Sequence, residues 1–190
     1  MLQDIKSVEL RNLQIEDYKQ LKTSMIESYP GMVDSYWEEN HIQKLLKIFP
    51  EGQLVIVVDG KVVGSALSLI VHEKLVDKNS DYKTVTGNYT FSTHTKDGEI
   101  LYGIDVFIHP NYRGLRLGRR LYDARKELCE QFNLKAIVFA GRIPNYAQHA
   151  KDLTPKEYIE KVNKKELHDP VLSFQLSNDF HVMRIMKNYL

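Results

Sequence analysis

Apolar and polar positions along the 190-residue chain follow two periods, and the switches between them mark the elements. Ser7–Leu10 reads as a short opening strand. Tyr18, Leu21, Met25 and Ile26 recur at helical spacing, and Trp37, Leu45, Leu46 and Phe49 predict a second helix after the Pro30-Gly31 break. Leu54–Val58 and Lys61–Ile70, rich in Val, Ile and Leu, are strands joined by Asp59-Gly60, a dipeptide that favours a tight hairpin turn. Residues 77–98 are polar and turn-rich, longer than a hairpin needs, and form an excursion between the third and fourth strands.

Glu99–His109 is the expected fourth strand, Leu117–Phe132 a helix, and Lys135–Ala140 the fifth strand. A strand, a helix and another strand in succession imply a parallel pair with the helix packed across the sheet. Leu117, Leu121, Ala124, Leu128 and Phe132 are that helix's buried stripe. Asn145–Asp152 and Thr154–Lys165 read as helical, and Val171–Leu176 with Phe180–Met186 as a closing antiparallel pair. Without repeats, low-complexity segments or a linker, residues 1–190 are expected to form a single α/β domain.

Composition narrows the function classes. A net charge of +1 argues against a protein whose main work is neutralising a nucleic-acid backbone. No apolar run reaches the roughly 18 residues of a membrane span, and a cytoplasmic location is expected. The single cysteine, Cys129, falls among apolar helix positions and excludes an internal disulfide. The seven histidines show no ligand spacing, so no metal is expected.

Candidate chemistry concentrates after the fourth strand. Five of the eight arginines, Arg113, Arg116, Arg119, Arg120 and Arg125, lie within thirteen residues that open one helix. A helix N-terminus presents unpaired N–H groups and partial positive charge, and Gly114 and Gly118 allow close backbone approach, so the stretch describes a cradle for a pyrophosphate. Its spacing is neither that of a P-loop nor that of the dinucleotide-binding fold.

The segment VFIHPNYRGLRLGRRL resembles the acetyl-CoA-binding motif of the GNAT N-acetyltransferases, Gln/Arg-x-x-Gly-x-Gly/Ala, with Arg113 and Gly118 matching its ends and Arg116 replacing its middle glycine. The order of elements is similar over essentially the whole chain. More narrowly, TGNYTF, LYGIDVFI, GRIPNY and DPVLSFQLSNDF resemble the acetyltransferase half of bacterial proteins that carry a nitrilase-like amidase behind it. The chain stops at Leu190, and no amidase chemistry is expected of it. The resemblance implies a GNAT fold: a mixed, mostly antiparallel sheet of six to seven strands, flanking helices and a splay between strands four and five.

It also implies site residues. The cofactor would be acetyl-CoA, its arm along Val106, Phe107 and Ile108 and its pyrophosphate on Arg113, Gly114, Leu115, Arg116, Leu117, Gly118 and Arg119. Asn145 matches a cofactor-arm asparagine, with helix capping as the alternative. The partner would be an amine acceptor, small molecule or peptide, with no nucleic acid or membrane, and a homodimer is left open.

An alkylamine is protonated at neutral pH and must lose that proton to attack, so a general base is useful. Asp105, the one charged residue between Leu101 and Ile108, is the candidate, against a carboxylate tied to backbone N–H groups or to an arginine. Glu99, after a turn, is weaker. Where the family places an acidic tyrosine this chain has Asp152, leaving Tyr146 and Tyr158 as candidates against packing roles. Tyr29, Asp34, Tyr36, Trp37 and Tyr82 are expected near the acceptor. A cofactor-binding regulatory module without chemistry is the alternative function.

Overall fold

The computed structural model describes residues 5–30, 36–77 and 80–186. The chain forms two compact units, Met1–Phe139 and Ala140–Tyr189. The first is built on one five-stranded sheet in the order β1-β2-β3-β4-β5: β1 (Val8–Asn12), β2 (Gln53–Val58), β3 (Lys61–Val71), β4 (Ile100–Ile108) and β5 (Ala136–Phe139). Neighbours are antiparallel except β4 and β5, which run parallel as the strand-helix-strand order predicts.

Asp59 and Gly60 turn the β2–β3 hairpin with φ of 48° and 76°, the left-handed pair a two-residue turn requires. Asp59 Oδ1 also accepts the N–H groups of Lys6 and Ser7 at 3.0 and 2.8 Å, tying the entry of β1 to the same turn. β2 and β3 are buried at nearly every residue because helices cover both faces of the sheet, which is why they read as continuous apolar runs.

On one face, α1 (Tyr18–Ser28) and α2 (Glu39–Ile48) contribute Leu21, Met25, Ile42 and Leu45 to a core with Val55, Leu67 and Leu69. The 77–98 excursion lies on this side too, through short α3 (Tyr82–Val85) and buried Phe91. On the other face, α4 (Leu117–Gln131) packs Leu117 and Leu121 against Leu54, Ile56 and Ala66, and Leu128 and Cys129 against Ile70 and Leu101. Burial pushes the Cys129 thiol pKa up, in keeping with a packing residue.

Two irregularities in β4 shape the site. Leu67 pairs with Asp105 while the next residue, Ser68, pairs with Gly103, so Ile104 is an extra residue in a β-bulge. The parallel ladder with β5 covers only Ile100–Gly103 opposite Ala136–Phe139, where β5 ends, so β4 beyond Gly103 runs on without β5 beside it.

The second unit contains a 3-10 turn at Pro144–Gln148, α5 (Pro155–Asn163) and α6 (Leu172–Leu176) around Tyr158, Val162 and Leu172. Four expectations differ from the structure. The sheet has five strands among the described residues, not six to seven, because the closing antiparallel pair is absent. Val171–Leu176 instead enters α6, since the Asp169 carboxylate accepts the N–H groups of Val171 and Leu172 at 3.0 and 2.9 Å and starts a turn. Residues 180–186 carry no regular structure. The Asn145–Asp152 helix is a 3-10 turn followed by further turns. In α1, Ile26 faces outward although it fits the apolar spacing. Gly31 and Asp34 lie outside the described residues. No helix of the described residues is long and apolar enough to cross a membrane.

Candidate active site

The end of β4 presents backbone to the gap that β5 leaves. His109 N–H donates to the Val63 carbonyl at 2.8 Å, and the alternation of an antiparallel ladder then turns the N–H and C=O groups of Val106 and Ile108 away from β3, to the side where β5 has ended. Those of Phe107 face β3. Arg113 Nε donates to the Ile108 carbonyl at 3.2 Å, so the arginine that opens the motif fastens the loop to the strand before it.

Beyond Ile108 the chain makes a 3-10 turn over Pro110–Tyr112, held as the His109 Nδ1 accepts the Asn111 N–H at 3.2 Å. That bond leaves the His109 proton on Nε2, which meets the carboxylate of Glu27 from α1. The loop then enters α4 through Gly114 at φ 83° and Arg116 at φ 58°, ψ 17°. Left-handed residues alternating with ordinary ones turn successive N–H groups into one concavity, an anion-binding shape. Leu117, 3% exposed, anchors it beneath.

Arg116 explains the missing glycine of the motif. The position demands left-handed backbone, which glycine adopts freely and a side chain adopts at a cost of about 1–2 kcal/mol, and here arginine takes it. Arg113, Arg116, Arg119 and Arg120 all extend outward around the N-terminus of α4.

Arg125 does not belong with them. It is 1% exposed, inside the first unit between α4 and the sheet. Its Nη2 donates to the carbonyls of Leu67 and Asp105 at 2.7 and 2.6 Å, and its Nε to Ser68 Oγ at 3.1 Å. These are the residues of the β-bulge, so the guanidinium clasps the break in the β3–β4 ladder. Gly103 makes room for it: a Cβ there would stand 3.0 Å from Arg125 Nη1 and 3.2 Å from the Phe139 Cβ. Burial lowers the Arg125 pKa to about 10 despite the nearby Tyr122 and Asp105.

Asp105 points to the α1–α2 face, where its Oδ1 accepts the Tyr29 hydroxyl at 2.9 Å. Tyr29 stands at the end of α1, with its ring edge-on to Phe107 at 6.3 Å. Arg125 reaches the backbone carbonyl of Asp105 from the other face of the sheet. On the far side of the bulge, the Tyr82 hydroxyl donates to the Ile104 carbonyl at 3.0 Å. Tyr82, Trp37 and Tyr89 stand with ring centroids 6.0 to 6.5 Å apart. Glu99, at the far end of β4, accepts the Glu73 N–H and meets His72, away from Asp105.

The excursion that supplies Tyr82 and Tyr89 has unusual backbone. Gly87, Asn88, Tyr89 and Phe91 have φ of 61°, 54°, 64° and 60°. A side chain in this region costs about 1–2 kcal/mol, and two of these are aromatic. The turn is held by Phe91 N–H to the Thr86 carbonyl at 2.8 Å, Asn88 N–H to Lys83 at 2.6 Å, and Thr90 Oγ1 to Gly87 at 2.6 Å.

Asn145, Tyr146 and Tyr158 lie together in the second unit. Asn145 is inside the 3-10 turn rather than at its cap; its amide nitrogen donates to the His168 carbonyl at 3.2 Å and its backbone N–H to Asp169 at 3.1 Å. The Tyr146 hydroxyl donates to the Leu153 carbonyl at 3.0 Å. Tyr158 is fully buried, its hydroxyl donating to Asp169 at 2.9 Å, and burial with the adjacent carboxylate pushes its pKa up to about 12. A phenol that weakly acidic is poorly matched to a departing thiolate, whereas it suits a structural bond. Tyr158→Phe should therefore fold and lose about 1 kcal/mol in urea unfolding, since Asp169 keeps its three backbone donors. A loss of turnover without loss of stability would return Tyr158 to the chemistry.

Sequence reasoning missed Asp169, Tyr89, Gly103 and the His109–Glu27 contact. The Asp169-Pro170 pair ahead of α6 was a readable turn signal; the others depend on residues distant in sequence.

The model of the acetyltransferase (GNAT) family matches residues 9–153. The chain is 40% identical over 185 residues to the "probable hydrolase YhcX" of Bacillus subtilis (strain 168), covering 97% of this chain but only 36% of that protein. It is 30% identical over 187 residues to the "uncharacterized N-acetyltransferase YkwB" of the same organism, covering 97% of this chain and 83% of that one. Among solved structures, a GphF GNAT-like decarboxylase in complex with isobutyryl-CoA superposes with a TM-score of 0.74 at 18% identity, over 96% of this chain and 90% of that one, a likeness of fold. With a β4 edge that runs on past the end of β5 and a left-handed entry to α4 on one side, and a family match over most of its length on the other, this chain belongs to the acetyltransferase (GNAT) family.

Proposed function

We propose that the protein transfers an acetyl group from acetyl-CoA to a primary amine of a small molecule or peptide, by direct attack with both substrates bound. Family membership supports acyl transfer. The observation that carries the cofactor reading is the continuous run from the β4 edge beyond the end of β5 into the left-handed entry of α4. An extended amide-bearing arm fits the strand edge, and a pyrophosphate fits the N–H concavity ringed by four outward arginines.

In this reading Val106 and Ile108 hold the arm, and the amides from Leu115 to Arg119 hold the phosphates. When bound, acetyl-CoA supplies an activated thioester. Asp105 takes the proton from the acceptor ammonium, directly or through one water, while the Tyr29 hydroxyl fixes its Oδ1. Arg125 positions Asp105 by fixing the bulge beside it. Backbone N–H near Ile108 steadies the thioester oxygen. Water would supply the proton that a leaving thiolate needs.

Gly118→Asp tests the cradle. It places a carboxylate where the phosphates would lie, so CoA should bind at least tenfold more weakly by titration calorimetry, while pantetheine, which lacks the pyrophosphate, should bind weakly to both proteins. Unchanged CoA affinity in a folded Gly118→Asp protein would place the cofactor elsewhere. Steady CoA thiol release across an amine panel tests transfer; tight CoA binding with no release would mark a regulatory module.

A further inference from the structure

We propose that the half-buried rings of Trp37, Tyr82 and Tyr89 form an acceptor wall beside Asp105, one that selects primary amines carrying a flat aromatic arm over polyhydroxylated amines such as amino sugars. The inference rests on the acyl-transfer reading above and gives it an acceptor class.

Asp105 lies between two tyrosines on the α1–α2 face: Tyr29, which donates to its carboxylate, and Tyr82, which donates to the carbonyl of the preceding residue, Ile104. Tyr82 leans on Trp37 at 6.5 Å and on Tyr89 at 6.0 Å, and Trp37 meets Tyr89 at 6.2 Å. The three rings are thus contiguous and begin one residue from the proposed base.

The turn at 87–91 holds Tyr89 and Phe91 in the same left-handed backbone. Phe91 shares its strained backbone, and its ring is buried to 1% exposure against Trp37 and His41, so core packing accounts for it. Tyr89 has the same backbone conformation, yet its ring stays half-exposed and leans on Tyr82 and Trp37. Burial does not account for that position; aiming a ring at the other two does. Strained backbone held by surrounding hydrogen bonds is a mark of functional placement.

The chemistry of the wall sets the class. Ring faces carry negative quadrupole density that favours an ammonium and stacks with a flat arm. The carboxylate of Asp105 adds attraction for the cation. An amine rich in hydroxyls would leave water for a surface of rings, where the Tyr82 hydroxyl is already given to Ile104, and its own hydroxyls would go unpaired.

Trp37 is the chain's single tryptophan, so its fluorescence reports binding at the wall without any chemistry. Phenethylamine should change Trp37 emission saturably, at least tenfold more tightly than glucosamine, and should show the lower KM when acetyl-CoA is supplied. Tyr89→Asn removes the ring but suits left-handed backbone; it should weaken phenethylamine on the order of tenfold and glucosamine much less, so that the preference between them shrinks. Tyr82→Leu gives the same comparison from α3 should Tyr89→Asn fail to fold. Phenethylamine binding with no CoA release would uphold the wall while removing acyl transfer. CoA release with glucosamine as efficient as with phenethylamine, and no emission change with phenethylamine, would overturn the wall and leave acyl transfer standing.

Discussion

Asp105→Asn should fold and bind CoA as the parent does, and should lose turnover by about 10²-fold or more, the usual scale of general-base catalysis. The substitution keeps the shape of the side chain, and the amide oxygen can still accept the Tyr29 hydroxyl that Oδ1 now accepts at 2.9 Å. It removes the oxygen that takes a proton. The parent's rate should rise with pH as the amine loses its proton, and the variant's should follow the same course at the lower level. Steady-state release of CoA thiol, followed against pH for both proteins, reads the effect. Normal turnover in a folded variant would remove Asp105 from the mechanism and pass the proton to solvent. A variant that unfolds would make the carboxylate a structural group.

Arg125→Met should lower stability by about 3–5 kcal/mol, because the buried carbonyls of Leu67 and Asp105 and the Ser68 hydroxyl lose their donor together. Methionine fills much of the volume without replacing the donors. For a chain of this size each kcal/mol moves the melting temperature by roughly 2–4 °C, so a fall on the order of 10 °C is expected in calorimetry. The buried cation carries its own desolvation penalty, visible in a pKa lowered to about 10, which partly offsets the loss. A change below 1 kcal/mol would mean that the bulge holds itself. Arg125→Lys should fall between, since one ammonium cannot span all three acceptors with the geometry of the guanidinium fork.

Arg125 also shows where the sequence could be read and where it could not. Its place on α4, four residues after Leu121 and four before Cys129, puts it on the apolar stripe, so helical periodicity alone argued for burial. The density of neighbouring arginines obscured that. The β2–β3 hairpin was legible because Asp59-Gly60 and two apolar runs agree, and the parallel β4–β5 pair because a strand-helix-strand order allows little else. The extra residue at Ile104 was not legible, since a bulge is a relation between two strands and a helix. The closing strand pair failed because Val171 and Leu172 have strand-forming side chains, but Asp169 captures their N–H groups first. The left-handed turn at 87–91 announced itself only through Gly87 and Asn88; nothing local requires Tyr89 and Phe91 to follow.

Arg116 bears on how quickly, as well as how tightly, a ligand can be received. Glycine at that position would leave the loop free to sample both hands of backbone, and much of that freedom would have to be frozen as a ligand settled. Arginine has fewer backbone states open to it, so once folding has set its φ at 58° the entry to α4 is already in its receiving shape. On the proposed cofactor reading, association there would resemble docking onto a fixed template, with little ordering left for the encounter itself. A side chain that departs from the glycine pattern of its family thereby trades a strained resting state for a loop prepared in advance.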